Sequence, residues 1–395
     1  MADGVDLLRR LVAVDTSNPP GNETAAAEVL RAFLEAAGIE CELVARDPAR
    51  ANLVARLRGG TGPTLCFLGH LDVVPARVLE WSRPPFAADL QDGRIWGRGT
   101  IDMKCQLAAV ATALALLAAD DVSPPGDVLF VAVADEEVGE AGVGMPWLLE
   151  ARPDVSANYV IGEGAGERFN GENGSFYTLD HGAKASCSPV RLTARGRSGD
   201  ASLPGATPNA LLALATLLKR LPQSPPREPQ ALLRNALAGS TFVPVRVETP
   251  PESNVVPHEA TCELYAAVRP EATSASVRHE LDELLGDDLA YDLEVPEPEG
   301  GSTSPLGTPL HRAVAAFIDR HDCEARIEPI LGYGYSDCHL ARQAWEAVAY
   351  GFIPFRRVDP LVNLTTKHGV DEHVLVEDLA FQIECARWLA VAQLS

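Results

Sequence analysis

The feature that most constrains the fold of this chain is a set of short, continuously apolar runs separated by helical stretches. Val128–Val133 is apolar at every position, and Thr64–Leu68 and Tyr159–Ile161 are shorter runs of the same kind. Such runs are expected of strands whose two faces are both covered, as in the parallel sheets of α/β proteins. Helical character is found in Thr24–Ala37, before the first of these runs, and in Ile101–Leu117, between the first and the second. The chain up to residue 182 therefore predicts an α/β fold with a mostly parallel sheet.

The pattern changes near residue 183, where a second domain is predicted. The expected order is β-α-β-β-α, with a Pro-rich loop after the first helix: residues 188–195, Asn209–Leu221, Pro222–Pro229, Val243–Val247, Thr261–Val268 and Ser274–Leu285. This order is typical of a small α+β insert with an antiparallel sheet. The acidic segment Val295–Gly301 leads out of it. We therefore predict a discontinuous domain of residues 1–182 and 296–395, interrupted by an inserted domain of residues 183–295.

Length, charge and cysteine use narrow the classes of protein. A chain of 395 residues exceeds one ordinary core, and a net charge of −22 argues against nucleic acid and anionic membranes as partners. No apolar run is long enough to span a bilayer, and Met1–Gly4 lacks the basic and apolar regions of a signal peptide. The eight scattered cysteines, without a CxxC pair, are typical of free thiols. We expect a cytoplasmic protein.

Acidic and histidine residues follow the predicted strands directly. His70 and Asp72 come after the first apolar run, Glu136 and Glu137 after the second, and Glu163 after the third. Ligands bind in open α/β sheets outside the carboxyl ends of the strands. Imidazole and carboxylate groups are ligands of divalent metal ions. The placement therefore favours a metal site, although each residue taken alone also suits a polar strand end or an acidic loop.

Two further candidates lie outside the strands. Asp102 sits in the Gly-rich segment Gly97–Lys104 before a long helix, and His368 sits in the late segment Lys367–His373. Asp102 read alone is equally well explained as a residue that interacts with a helix N-terminus. His368 alone is a weak signal.

The combination resembles the M20 family of metallopeptidases, which contains acetylornithine deacetylase, succinyl-diaminopimelate desuccinylase, glutamate carboxypeptidase, aminoacylase-1 and carnosinase. The chain carries, in order, an HxD, the sequence GRGTIDMK, a DEE, a GEG and a late HGxxE. Further similar segments are Trp81–Phe86, Trp96–Gly99, Gly196–Gly199, Glu252–Pro257 and Val268–Pro270. The resemblance covers essentially the whole chain.

The resemblance implies two metal ions, usually zinc, that are bridged by one aspartate and a water. Asp102 matches the bridging ligand. His70 and Glu163 match the ligands of one ion, and Glu137 and His368 match those of the other. Cobalt and manganese suit the same ligand types, so the residues leave the metal open.

The resemblance also assigns residues to catalysis and substrate binding. Glu136 matches the general base, and Asp72 matches the carboxylate that orients His70. Asn254 and Arg269 match residues of the insert that contact substrate, the arginine by pairing with a terminal carboxylate. The insert itself matches a lid and dimerisation domain, so a homodimer is expected.

The chain departs from the family pattern at Asp200. The family insert usually reads Gly-His-x-Ser, and its histidine helps to stabilise the oxyanion in the partner subunit's active site; here the segment is Gly199-Asp200-Ala201-Ser202. Losing one such donor typically costs about 10²–10³ in turnover. Asp200 is explained by an engineered low-activity variant, by a substrate with a cationic or hydroxyl group, or by lost or altered activity. His181, the histidine nearest the domain boundary, is a candidate replacement for the missing one. Gly334–Asp337 also differs from the family's commoner Gly-Gly-Thr-Asp.

Two functions follow as hypotheses. The first is metal-dependent hydrolysis of the amide bond of an N-acyl amino acid, a dipeptide or a related small amide, with Glu136 as general base and Asp200 near the reaction. The second is a catalytically impaired or inactive relative that binds a small acylated ligand. Retention of Glu136 favours the first hypothesis, and Asp200 favours the second.

Overall fold

The structure is a computed structural model that describes residues 2–171, 174–222, 239–332 and 336–394. The chain divides into two compact units, Met1–His181 with Ser304–Ser395, and Gly182–Thr303. Gly182 and residues 296–303, which were predicted to belong to the first domain, fall in the second unit. The reason is that Ser302 and Thr303 pair with Ala183 and Gly182.

The first unit alternates helices and strands. Its helices are Ala2–Val12, Glu23–Ala36, Lys104–Ala119, Met145–Ala151, Pro309–His321, Cys338–Ala344, Pro360–Thr366 and Val376–Ala390, with a 3₁₀ turn at Val78–Glu80. Its strands are Glu40–Val44, Asn52–Leu57, Gly62–His70, Asp89–Gln91, Arg94–Trp96, Gly126–Val133, Tyr159–Gly162, Arg168–Gly171, Gly174–Ala183, Ala325–Leu331, Val348–Gly351 and His373–Leu375. Gly174–Ala183 runs on into the second unit.

The centre of the main sheet is parallel. Four neighbouring strands run in one direction, in the order Gly126–Val133, Gly62–His70, Tyr159–Gly162 and Val348–Gly351. Antiparallel strands flank this centre on both sides. The predicted α/β fold with a mostly parallel central sheet is confirmed, and the antiparallel pairs lie at its flanks.

The helix Lys104–Ala119 lies in the core of the first unit. All its residues from Lys104 to Leu114 are buried, as expected of a helix without a polar face. It begins three residues later than the predicted Ile101, because residues 99–103 form a turn that is closed by a hydrogen bond from the Lys104 N–H to the Gly99 carbonyl (2.8 Å). The turn leaves Asp102 outside the helix.

The sequence predicts no strand over Gly174–Ala183, yet this ten-residue strand is buried from Phe176 to Asp180. Its polar residues conceal it from an analysis of hydrophobic pattern. Burial of Asp180 is supported by a hydrogen bond from the Gly332 N–H to its carboxylate (3.0 Å).

The second unit is an α+β structure with an antiparallel sheet, as predicted. The sheet consists of Ala185–Ser186, Val190–Arg195, Thr241–Glu248, Glu259–Val268 and Tyr291–Glu294, beside the small ribbon of Gly199–Asp200 and Val255–Val256. Its core includes Leu214 of the helix Ala210–Leu218 and Leu281 of the helix Ser274–Leu285. The Pro-rich loop, from residue 223 onward, lies outside the described residues. In the described parts of both units, no helix is both long and apolar enough to cross a membrane.

Candidate metal centre

The site lies at the carboxyl ends of the central parallel strands. His70 is the last residue of its strand and stands in register with Val133 of the next strand. Glu136 and Glu137 follow Val133, and Glu163 follows the third strand, Tyr159–Gly162. Parallel strands end at one edge of the sheet, so the apolar runs deliver these polar side chains to the same place.

Asp102 is the residue on which the two histidines converge. Its Oδ1 lies 3.1 Å from His70 Nε2, and its Oδ2 lies 3.0 Å from His368 Nε2. The two carboxylate oxygens therefore face different histidines, as a bridging ligand requires.

Two groups of possible metal ligands share this aspartate. In the first, His70 Nε2 is 3.6 Å from Glu163 Oε2; in the second, His368 Nε2 is 3.3 Å from Glu137 Oε2. Within each group the candidate ligand atoms all lie within 4.8 Å of one another. These five residues are the ones matched to metal ligands from the sequence, and the structure brings all of them together.

The donor set fits divalent ions. Each group offers one imidazole nitrogen and carboxylate oxygens, which are ligands of zinc, cobalt and manganese. Glu137 Oε1 is buried and has no hydrogen-bond partner among the described residues. A buried oxygen of this kind is costly unless a donor or a cation satisfies it.

The surrounding charges shift the pKa values of the site. Burial raises the pKa of the Glu136 carboxyl well above its ordinary value, and the Glu163 carboxylate raises it further. Burial alone would lower the pKa of His70, but the Glu163 charge and hydrogen bonds to carboxylates outweigh burial and raise it. A carboxylate whose pKa is raised toward neutrality is suited to accepting a proton at neutral pH.

Asp72 contacts His70 through two different groups. The His70 Nδ1 atom is 3.0 Å from the Asp72 backbone oxygen and 3.6 Å from its carboxylate. The carboxylate also accepts hydrogen bonds from the backbone N–H groups of Glu136 (3.2 Å) and Glu137 (3.1 Å). Asp72 thus contacts both the histidine and the turn that carries the two glutamates.

A buried polar network behind Asp72 went unrecognised in the sequence. Asn18 Nδ2 donates to Asp72 (2.8 Å) and Asp135 (3.0 Å), and Arg50 pairs with Glu23 and Asp135. Asp135 has a φ of 60° and accepts from two backbone N–H groups of the following loop. The network holds the turn before Glu136. The adjacent acids of the DEE segment were its one sequence signal.

Glu372 is a second residue that sequence reasoning left without a role. It is fully buried and accepts hydrogen bonds from Arg98 Nη1 (2.6 Å) and from the backbone N–H groups of Gly99 (3.0 Å), Ile101 (2.6 Å) and Asp102 (3.2 Å). It therefore anchors the turn that presents Asp102. Its place in the late HGxxE segment was the available signal.

Lys367 is the third feature of the site that went unrecognised in the sequence. Its Nζ lies 3.1 Å from Asp102 Oδ2. Burial opposes ionisation of Asp102, but the Lys367 charge and hydrogen bonds to both histidines hold the pKa of its carboxyl well below the usual range. A lone lysine beside a histidine gives no sequence signal for such a contact.

Three candidate residues belong to the second unit, where each is solvent-exposed: Asp200, Asn254 and Arg269. Asp200 stands opposite Val255 in the small ribbon, and its Oδ1 accepts the Ser202 N–H (2.9 Å), a bond that lowers the pKa of the carboxyl. The Asn254 carbonyl accepts the Ala201 N–H (3.1 Å). The roles of all three stay predictions.

Two other expectations concern single positions. Gly334 and Tyr335 lie outside the described residues, whereas Ser336 and Asp337 are described and buried. His181, the possible replacement for the missing histidine, has its Nδ1 3.3 Å from the Ser304 carbonyl, and burial lowers the pKa of its ring.

Comparison with known proteins defines the class as a metallohydrolase. The model of peptidase family M20/M25/M40 matches residues 66–390. The chain is 29% identical over 99% of its length to succinyl-diaminopimelate desuccinylase of Rhodospirillum centenum, and 31% identical over 99% to that of Rhodospirillum rubrum; it covers 98% of each relative. The chain belongs to the M20 peptidase family.

Solved structures share the fold. The M20 metallo-carboxypeptidase Sso-CP2 from Sulfolobus solfataricus gives a TM-score of 0.68 at 17% identity, with 99% of each chain covered. The dipeptidase Dug1p from Saccharomyces cerevisiae gives 0.68 at 13% identity, with 100% of this chain and 96% of that chain covered. An M20 family member from Bacillus subtilis, described as a dinuclear metal-binding peptidase, gives a TM-score of 0.57 at 15% identity, with 99% of this chain and 98% of that chain covered. The chain is thus a hydrolase of a family that includes dinuclear metal-binding peptidases.

Proposed function

We propose that this chain hydrolyses the amide bond of an N-acyl amino acid or a small peptide, using two divalent metal ions, most simply zinc. The observation that supports this proposal most strongly is the position of Asp102, which turns one carboxylate oxygen toward each of two ligand groups. Bound there, two divalent ions would polarise the scissile carbonyl and make a water more acidic.

Glu136 is the proposed general base. It follows a buried strand at the edge of the site, and burial raises the pKa of its carboxyl. A glutamate with these properties can take the proton of the attacking water and deliver it to the departing amine. Asp72 keeps the turn that carries Glu136 in place through the bond from the Glu136 N–H.

The proposed substrate carries a free carboxylate next to the scissile amide, and we assign that carboxylate to Arg269, with Asn254 as a further contact. The guanidinium group offers a planar pair of donors that matches a carboxylate. The named relatives make succinyl-diaminopimelate the first compound to test. Diaminopimelate carries a second amino group, so Asp200 is the group that we assign to a cationic substituent of the substrate.

A homodimer is proposed from the surface of the second unit. Val243, Val245 and Val247 are exposed on Thr241–Glu248, which among the described strands pairs with Glu259–Val268 alone. An exposed apolar edge strand is expected to be covered by a partner. Val245→Glu should then shift the sedimentation mass from dimer to monomer.

The proposed compartment is the cytoplasm. All eight cysteines are among the described residues, and all are free thiols. Proteins of oxidising compartments more often pair such residues.

The deciding experiment measures turnover of the zinc- or cobalt-loaded chain on succinyl-diaminopimelate, N-acyl amino acids and dipeptides, beside Asp200→His. A chain that is active as it stands, and less active as Asp200→His, supports Asp200 as a specificity residue. A histidine variant faster by about 10²-fold or more marks Asp200 as a substitution that weakens an ordinary hydrolase. Inactivity of both forms on every substrate would favour the alternative, an impaired relative that binds a small acylated ligand.

A further inference from the structure

Lys367 places a positive charge directly at the shared ligand of the candidate metal centre. Its Nζ is 3.1 Å from Asp102 Oδ2, the same oxygen that His368 Nε2 approaches to 3.0 Å. His368 has a φ of 59°, in the left-handed region. Two consecutive side chains thus contact the same carboxylate oxygen.

An ammonium group in this position competes with a divalent ion. Asp102 Oδ2 belongs to the ligand group with Glu137 and His368, so an ion bound there and the lysine share one oxygen. Two cations on one carboxylate repel each other, and the buried side chain of Asp102 limits screening by solvent. The side chain of Lys367 itself is 37% exposed, which leaves it room to move.

A small cavity beside the site offers the lysine a second position. It has a volume of about 20 Å³ and is lined by Lys367 together with Asp102, Glu163, Glu167 and Asn363. Asn363 is 2% exposed, and its Oδ1 has no hydrogen-bond partner among the described residues. Glu167 is also buried and accepts a hydrogen bond from Thr178 Oγ1 (2.8 Å). The residues that line the cavity therefore include two buried side chains with oxygen acceptors, Asn363 and Glu167.

We propose that Lys367 is an internal counter-cation of the metal site, which leaves Asp102 for Asn363 and Glu167 when a divalent ion binds. Lys367 thereby lowers the affinity of the site for the ion. It also stabilises the metal-free protein, in which its charge neutralises part of the negative charge of the candidate ligand carboxylates. The inference rests on the proposed dinuclear site and adds to it a device that sets metal affinity.

The test compares zinc affinity and metal-free stability in Lys367→Met. Zinc affinity of the full chain is measured by competition with a chromophoric chelator, and the melting temperature is measured after exhaustive chelation. We expect zinc to bind at least about tenfold more tightly, because one repulsive charge is gone. The metal-free melting temperature should fall, because the carboxylates lose a counter-ion. The control is Lys219→Met, which removes the same charge from an exposed position of the second unit and should change neither quantity.

The proposal predicts that Lys367→Met tightens zinc binding but lowers the melting temperature of the metal-free protein. This combination distinguishes it from simpler roles of Lys367. A lysine that only supports the fold would lower stability without tightening zinc binding. A lysine that helps Asp102 to bind metal would give weaker zinc binding on removal. Either result, or unchanged affinity, overturns the proposal.

A second variant tests the receiving cavity. Asn363→Leu keeps the size of the side chain but removes the acceptor, so it should weaken zinc binding about threefold or more in the presence of Lys367. In the Lys367→Met background the same change should have no effect, and this non-additivity is the signature of the exchange. Equal effects in both backgrounds would contradict the movement into the cavity.

The proposed function and this inference fail in different ways. A wild-type chain that binds no zinc contradicts the dinuclear site itself. A chain that binds two zinc ions with an affinity indifferent to Lys367 contradicts the counter-cation alone.

Discussion

Glu372 accepts the backbone N–H of Asp102 at 3.2 Å, although the two residues are 270 positions apart in the sequence. The same carboxylate accepts two more backbone N–H groups of this turn and pairs with Arg98. The residue at the centre of the candidate metal site is thus positioned by a segment near the other end of the chain.

Glu372→Gln should destabilise the protein and weaken zinc binding. The amide places an N–H₂ group among four donors and leaves the Arg98 charge buried without its partner, which typically costs about 3–5 kcal/mol. Urea denaturation gives the stability, and chelator competition gives the zinc affinity. Glu377→Gln removes the partner of Arg357 in an exposed pair and should cost less than about 1 kcal/mol. Equal losses in the two variants would show that Glu372 has no special role.

Zinc stoichiometry should distinguish Asp102, the proposed bridging ligand, from the proposed ligands of single ions. His70→Ala and His368→Ala each remove a nitrogen from one ligand group, so each should reduce the bound zinc by about one ion per chain. Asp102→Ala removes the residue that both groups share and should reduce both. Elemental analysis after gel filtration measures the content. Retention of two ions by Asp102→Ala would contradict the shared ligand.

Glu136→Gln should abolish turnover without loss of metal. The amide cannot accept a proton, and loss of a general base typically lowers turnover by about 10²–10⁴-fold. Because Glu136 belongs to neither ligand group among the described residues, zinc content should stay unchanged. Steady-state kinetics and elemental analysis are run on the same preparation. Activity within tenfold of the wild type would exclude Glu136 as the base.

Lys104 should make stability depend on pH. This lysine is buried and donates to the Leu11 (3.1 Å) and Val14 (2.8 Å) carbonyls, and burial lowers its pKa from 10.5 to about 7. Between these values the unfolded chain binds more protons than the folded chain, so stability rises with pH through this interval. Below about pH 7 the cost of burying the charge is fully present.

The measurement is urea denaturation of the wild type and Lys104→Met from pH 7 to 8.5, at constant metal content. The difference in unfolding free energy between the two should change by up to about 1.4 kcal/mol per pH unit in this range. The cysteines ionise in the wild type and in Lys104→Met alike, so their contribution cancels when the two unfolding free energies are subtracted. A difference independent of pH would show that Lys104 titrates normally.

Local patterns were sufficient for the elements whose signals are local. The helix Ser274–Leu285 is found with its predicted bounds because Thr273 caps it and Ser276 completes a capping box. The central strands are likewise found where continuous apolar runs predict them. By contrast, the strand Gly174–Ala183 was missed, since polar residues in it are buried only through tertiary contacts.

The sequence by itself determined that acids and histidines follow apolar strands, because strand formation and the parallel direction depend on hydrophobic pattern. That placement indicated His70, Glu137 and Glu163, whereas Asp102 and His368 were matched to metal ligands only through the resemblance to a known family; the structure gathers all five into two ligand groups. Only the tertiary structure decided what supports them. Glu372 and Lys367 both contact Asp102, and Arg50 pairs with Asp135 just before Glu136. In each of these contacts the two residues are at least 85 positions apart in the sequence. The physical reason is that a buried carboxylate needs hydrogen-bond or charged partners. The folded chain supplies these partners from distant segments, so the pairing cannot be predicted from local sequence.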